Sequence, residues 1–95
     1  MNLTEEQKAL AYLAEECGEA VQIAAKILRH GTESNPYSYL NGGTNTEKLE
    51  NELGDIRWAM VRLEKAGVIS IRNVIDRAAR KEKLHNARRG EPRGD

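Results

Sequence analysis

The chain contains no phenylalanine, one tryptophan, three tyrosines, two prolines and a single cysteine in 95 residues. Without Phe, a core must be built from Leu, Ile, Val and Ala, a set that suits packed helices. One cysteine, Cys17, excludes an intrachain disulfide and fits a reducing cytoplasm. No apolar run approaches the roughly 20 residues that span a bilayer. The N-terminal stretch MNLTEEQKAL is acidic where a secretory signal is basic and then apolar. A soluble, cytoplasmic protein is expected. An excess of either charge is also missing: 15 Lys and Arg balance 15 Asp and Glu. There is then no global pull toward nucleic acid or an anionic membrane, and any polyanion binding must be local.

What is present is helical punctuation. Thr4 is a candidate N-cap, with Glu5 and Glu6 in the favourable first turn. His30-Gly31 closes that segment in the usual way, so residues 4–31 form one long helix or two joined near Gly18. Thr44-x-x-Glu47 reads as a capping box opening a second helix that ends at Ala66-Gly67. Ser70 announces a third helix from Ile71 to about Arg89, followed by a frayed tail over 90–95. No β-alternating run exceeds the Val68-Ile69 pair. Residues 31–45, rich in Gly, Asn and Ser, form a loop whose Tyr37, Tyr39 and Leu40 suit either a lid over a ligand or a crossover connection. The expected fold is therefore all-α: a single domain over 1–95, a small bundle of three long helices. A chain this short buries a modest core, so homo-oligomerisation, as a dimer or tetramer, is expected to complete it.

Helical wheels place the chemistry. With Leu13 at zero and about 100° per residue, Leu10, Cys17, Ala20, Ala24, Ile27 and Leu28 fall within roughly 60°, while Glu16 lies at about 300° and Glu19 at about 240°. With Leu49 at zero, Leu53, Ile56, Met60 and Leu63 cluster within roughly 40°, Glu52 lies at about 300° and Asp55 at about 240°. Each helix thus carries an apolar stripe flanked on the same side by two carboxylates three residues apart. If the stripes face each other in an antiparallel pair, four acids can surround one point. Near a core boundary that much negative charge needs a cation. Hard oxygen ligands without Cys or convergent His favour Mg²⁺ or Mn²⁺ over zinc. A single E-x-x-E is usually solvated surface; two matched pairs, each beside an apolar stripe, weaken that explanation.

Glu15-Glu16-x-x-Glu19, within LAEECGEAVQIAAKIL, and Glu52-x-x-Asp55, within LENELGDIRWAMVRL, resemble the motifs of the MazG-like all-α nucleoside triphosphate pyrophosphohydrolase superfamily. The resemblance covers roughly residues 4–89; the long stretch between the motifs departs from the pattern. It implies hydrolysis of a nucleoside triphosphate to the monophosphate and pyrophosphate with Mg²⁺, and Glu16, Glu19, Glu52 and Asp55 as metal ligands. Glu15, off the ligand face at about 200°, either orients or deprotonates the attacking water or is merely exposed. In the third helix Lys83-x-x-Asn86-x-x-Arg89 looks like the family's K-x-x-N-x-x-R element, implying contacts to substrate phosphates or sugar; an ordinary basic tail is the competing explanation.

Other residues are ambiguous. Trp58, at about 180° on the second wheel, suits a subunit interface better than stacking on a base. Lys48, on the carboxylate face, either pairs with Glu52 or reaches a phosphate. Cys17 reads as a small core residue, and His30 as a helix-end charge. The rival function from another class is a non-catalytic helical dimerisation or adaptor module, which accounts for the amphipathic helices but not for the matched carboxylates. A di-iron protein requires paired E-x-x-H motifs, and Glu82-x-x-His85 stands by itself.

Overall fold

The computed structural model describes residues 2–33 and 43–89. It holds three helices, α1 (Glu5–His30), α2 (Asn45–Lys65) and α3 (Ile71–Arg89), and no strand among the described residues. Local chemistry sets their ends. At Thr4 the hydroxyl accepts from Gln7 N–H (3.1 Å) while the Gln7 side chain accepts from Thr4 N–H (2.9 Å). Thr44 and Glu47 repeat the exchange at 3.2 and 2.8 Å, the capping box expected there. Ser70 caps α3 through its hydroxyl on Asn73 N–H (3.3 Å). α2 stops where Val68 N–H reaches back to the Leu63 carbonyl and Gly67 N–H to that of Glu64, with Gly67 at φ 80°. This is the six-to-one and five-to-two pairing that glycine permits beyond a helix end. Gly18 does not divide α1, which runs unbroken for 26 residues.

α1 and α2 lie antiparallel: as α1 advances through Glu5, Tyr12 and Glu16, its partners on α2 recede through Arg62, Trp58 and Asp55. The ends of the intervening connection are fixed. Thr46 N–H donates to the Thr32 carbonyl (3.0 Å), and the amide of Asn45, only 4% exposed, donates to the Gly31 carbonyl (3.2 Å). Residues 34–42, which carry the expected lid with Tyr37, Tyr39 and Leu40, and the tail over 90–95 lie outside the described residues.

The packing seam differs from the sequence expectation in its rotation. Ala9, Ala59 and Leu63 are buried, and Leu13, Glu16, Ala20, Ile23, Ile27, Glu52 and Ile56 are half-buried around them. On both wheels this face centres near 310° rather than at the Leu13 and Leu49 zeros. The small Ala9 and Ala59 let the helices approach there. Cys17, expected in the core, is exposed, and so are Leu10, Leu28 (87%) and Leu53 (52%). A broad apolar stripe thus meets the partner helix along one edge and leaves the other uncovered.

α3 does not fold back onto this pair. It has little contact with α2 and none with α1, and the joint is held by Ile71 N–H donating to the Glu64 carboxylate (2.8 Å). The molecule measures 46 × 42 × 16 Å, with a radius of gyration of 16.9 Å. A compact chain of this length would have a radius near 12 Å, and 16 Å is little more than one helix diameter of about 10–12 Å. A single layer of helices cannot enclose a core, which is why so few side chains are buried. No helix among the described residues is long and apolar enough to cross a membrane.

Candidate metal centre and its surroundings

The rotation of the seam carries Glu16 and Glu52 from the shoulders of their stripes into the contact between α1 and α2. Both are half-buried, while Asp55, one turn from Glu52, is exposed at the seam's edge. Glu16, Glu52 and Asp55 each offer a carboxylate oxygen within 4.8 Å of the others. Glu19 does not join that group of three, but it stands within hydrogen-bonding reach of Glu52. The structure therefore gathers all four acids at one place. Glu15 is exposed on the outer side of α1, close enough for its charge to act on Glu16.

The electrostatics are those of carboxylates crowded against one another. Glu52 is pushed up to about 7, first by its side-chain hydrogen bond with Glu19, then by burial, then by its hydrogen bond with Glu16. Glu16 is also raised: burial is the largest cause, a hydrogen bond with Glu52 opposes it, and the charges of Asp55, Glu19 and Glu15 add to it. No basic side chain appears among these influences. Glu52 Oε2 is buried without a hydrogen-bond partner. Such an oxygen must be protonated or meet a cation. The three oxygens, all within 4.8 Å of one another, are close enough that side-chain adjustment would let them ligate one ion. The donor set, all carboxylate and open to solvent at Asp55, fits a hard divalent ion that keeps some of its water.

The other expected site residues are dispersed. Lys48 is half-buried on α2 and forms no ion pair with Glu52. Lys83 is exposed and Asn86 half-buried on the distal half of α3, the helix without contact to α1; the Arg89 side chain lies outside the described residues. Lys83 and Asn86, on the helix without contact to α1, are thus not gathered at the carboxylates of their own chain.

One feature of the site was not foreseen from the residues. Tyr12 and Trp58 meet across the helices with ring centroids 4.9 Å apart and planes tilted by 50°, and the Arg62 guanidinium lies 5.8 Å from the Trp58 ring. Arg62 is held in turn by Glu5 at 3.2 Å. Trp58, expected at a subunit interface, is thus engaged within its own chain, though still 48% exposed. A second signal was legible and overlooked: Glu16-Cys17-Gly18-Glu19 and Glu52-Leu53-Gly54-Asp55 repeat one pattern, with a glycine between the acids of each pair. A Cβ on either glycine would meet nothing within 4 Å.

The family profile of the MazG nucleotide pyrophosphohydrolase domain matches residues 4–88. The chain belongs to the MazG family. No curated protein and no solved structure gave a match. The MazG domain accounts for the helical architecture, and the family's dependence on divalent metals accords with an acidic cluster on the seam. The match also runs through α3, so that helix belongs to the MazG domain although it stands apart from the hairpin.

Proposed function

We propose that this MazG domain hydrolyses a nucleoside triphosphate, ribo or deoxyribo, to the nucleoside monophosphate and pyrophosphate in the presence of Mg²⁺, with Mn²⁺ as a substitute. The observation that carries the reading is the convergence of Glu16, Glu52 and Asp55 oxygens within 4.8 Å, with Glu19 beside them and none of the four in an ion pair among the described residues. Glu16, Glu19, Glu52 and Asp55 would hold the ion. Bound there, it would neutralise phosphate charge and polarise the phosphoryl oxygens.

The chain's own residues supply the rest. Water adds to the α-phosphorus as the bond to the bridging oxygen of the departing pyrophosphate breaks. Glu15, exposed beside Glu16, is the candidate to orient that water and accept its proton. Lys83, Asn86 and Arg89 are assigned to the phosphates and sugar, Lys83 balancing charge on the leaving pyrophosphate, and Lys48 is a further candidate for a phosphate contact. Because α3 leaves the hairpin, these groups would serve the carboxylates of another copy. A homodimer or homotetramer is part of the proposal, supported by the one-layer thickness of 16 Å and the uncovered Leu10, Val21, Leu28 and Leu53.

The test is a panel of the common ribo- and deoxyribonucleoside triphosphates incubated with protein and Mg²⁺. Monophosphate and pyrophosphate should form in equal amounts from at least one. No release from any of them, with metal demonstrably bound, would overturn the reading.

A further inference from the structure

The same side of the hairpin that carries the exposed edge of the carboxylate cluster continues as a track. In an antiparallel pair, equal rotations away from the seam in the same sense on both wheels fall on one side of the layer. Glu19 and Asp55 at about 240°, Tyr12 at about 260°, Arg62 at about 220° and Trp58 at about 180° therefore share a face. The apolar residues Leu10, Cys17 and Leu53, at about 40–60°, occupy the opposite one. Moving from the acids toward the α2 C-terminus, the next turn presents the Tyr12–Trp58 pair. The turn beyond it presents a recess of 140 Å³ lined by Glu5, Arg62, Lys65 and Ala66. From Asp55 to Arg62 the helix rises about 10 Å, the scale of a nucleotide from its α-phosphate to the far edge of its base.

We propose that the Tyr12–Trp58 pair is the surface on which the substrate's base stacks, with the recess beyond it receiving the base's polar edge. The inference rests on the hydrolase reading above and extends it from the phosphates to the base. Three observations carry it. Trp58 is engaged by the Arg62 guanidinium over its ring and by the tilted Tyr12 ring, yet about half of it is exposed, so its orientation is supported before any ligand arrives. Aromatic rings are the general partners of nucleobases, and every base offers a face to stack. The recess joins a carboxylate to two cationic donors, Glu5 with Arg62 and Lys65, which complements the mixed donors and acceptors of a base edge. A pair that only closed the end of the hairpin would need neither the exposure nor the alignment with the acids.

Trp58 is the sole tryptophan, so its emission reports on the pair directly. With the wild-type protein and Mg²⁺, a non-hydrolysable α,β-methylene nucleoside triphosphate should quench that emission, whereas inorganic tripolyphosphate at matched occupancy should leave it nearly unchanged. Trp58→Leu, which keeps an apolar side chain but removes the aromatic face, should raise KM for the nucleotide about tenfold with kcat within about twofold, the size of a lost base–aromatic stack. Trp58→Tyr should restore most of the loss. Equal quenching by tripolyphosphate, or a folded Trp58→Leu variant with unchanged KM and a lowered Tm, would overturn the proposal and leave the pair a structural clasp. The two readings fail separately. Base-dependent quenching without hydrolysis would sustain the platform and sink the enzyme; hydrolysis with base-independent quenching would do the reverse.

Discussion

Lowering the pH from 8 to 5.5 should drive a divalent ion out of the carboxylate cluster, because Glu52 must lose a proton before it can ligate. With Glu52 at about 7, the protonated fraction is about 0.1 at pH 8 and about 0.97 at pH 5.5, and apparent affinity should fall about 30-fold between them. Glu16 is raised as well, so the fall can only be steeper. The sign for folding is opposite in the metal-free protein. A carboxyl raised in the folded state holds its proton where the unfolded chain has released it. Its contribution is present at low pH and is lost as pH rises from the ordinary 4.5 through about 7. The metal-free protein should therefore lose stability from this source toward pH 8, where added metal should restore it most. Calorimetric titration with Mn²⁺ in two buffers of different protonation enthalpy measures the exchange: about 0.9 proton released per ion at pH 6 and about 0.1 at pH 8. Glu52→Gln should remove most of that release at pH 6, leaving the smaller share that Glu16 supplies. Tight binding with no proton release at pH 6, or affinity flat from pH 5.5 to 8, would refute the account of the cluster.

Four further outcomes follow from particular contacts. Asp55→Asn should lower turnover at least about a hundredfold while circular dichroism stays unchanged, since the side chain is exposed. Thr44→Ala, which opens the capping box with Glu47, should cost about 1 kcal/mol in urea unfolding. Gly67→Ala places a Cβ at φ 80° and should cost about 1–2 kcal/mol in the same measurement. Val21→Lys with Leu53→Glu, on the uncovered apolar face, should reduce the proposed homo-oligomer to monomers by light scattering; a wild-type oligomer whose mass these changes leave unaltered would show that this face is not the contact.

The helix ends were readable because capping is local chemistry: Thr44 with Glu47, Ser70 ahead of Ile71 and Gly67 after Ala66 act within a few residues of themselves. The carboxylate pairs were readable for a related reason, since an i, i+3 spacing fixes direction on any helix. The rotation of the seam was not. The stripe around Leu13 and Leu49 is wide enough to serve two partners, and only the packing of Ala9 against α2 and of Ala59 against α1 decides which edge the chain uses itself. That choice places Cys17 outside and Glu16 inside. The meeting of Tyr12 with Trp58 depends on the register between helices, which no wheel contains. α3 carries an apolar spacing of its own, Ile71, Val74, Ile75 and Ala78, which does not say whether its counterpart lies in the same molecule; the chain leaves Val74 and Ile75 exposed.

The hairpin meets itself only because the chain doubles back between residues 31 and 44, and the acids on either side of that return are positions 16 and 19 against 52 and 55. An ion gripped by both sides is a clasp across a long closed loop, the situation in which a cross-link gains most over a free chain. With one cysteine the molecule has no covalent means to do the same. On the proposed metal-bound reading, removing the ion should also shorten the protein's life: the opened hairpin would expose its backbone to proteases, and scarcity of metal would be read out as scarcity of the protein.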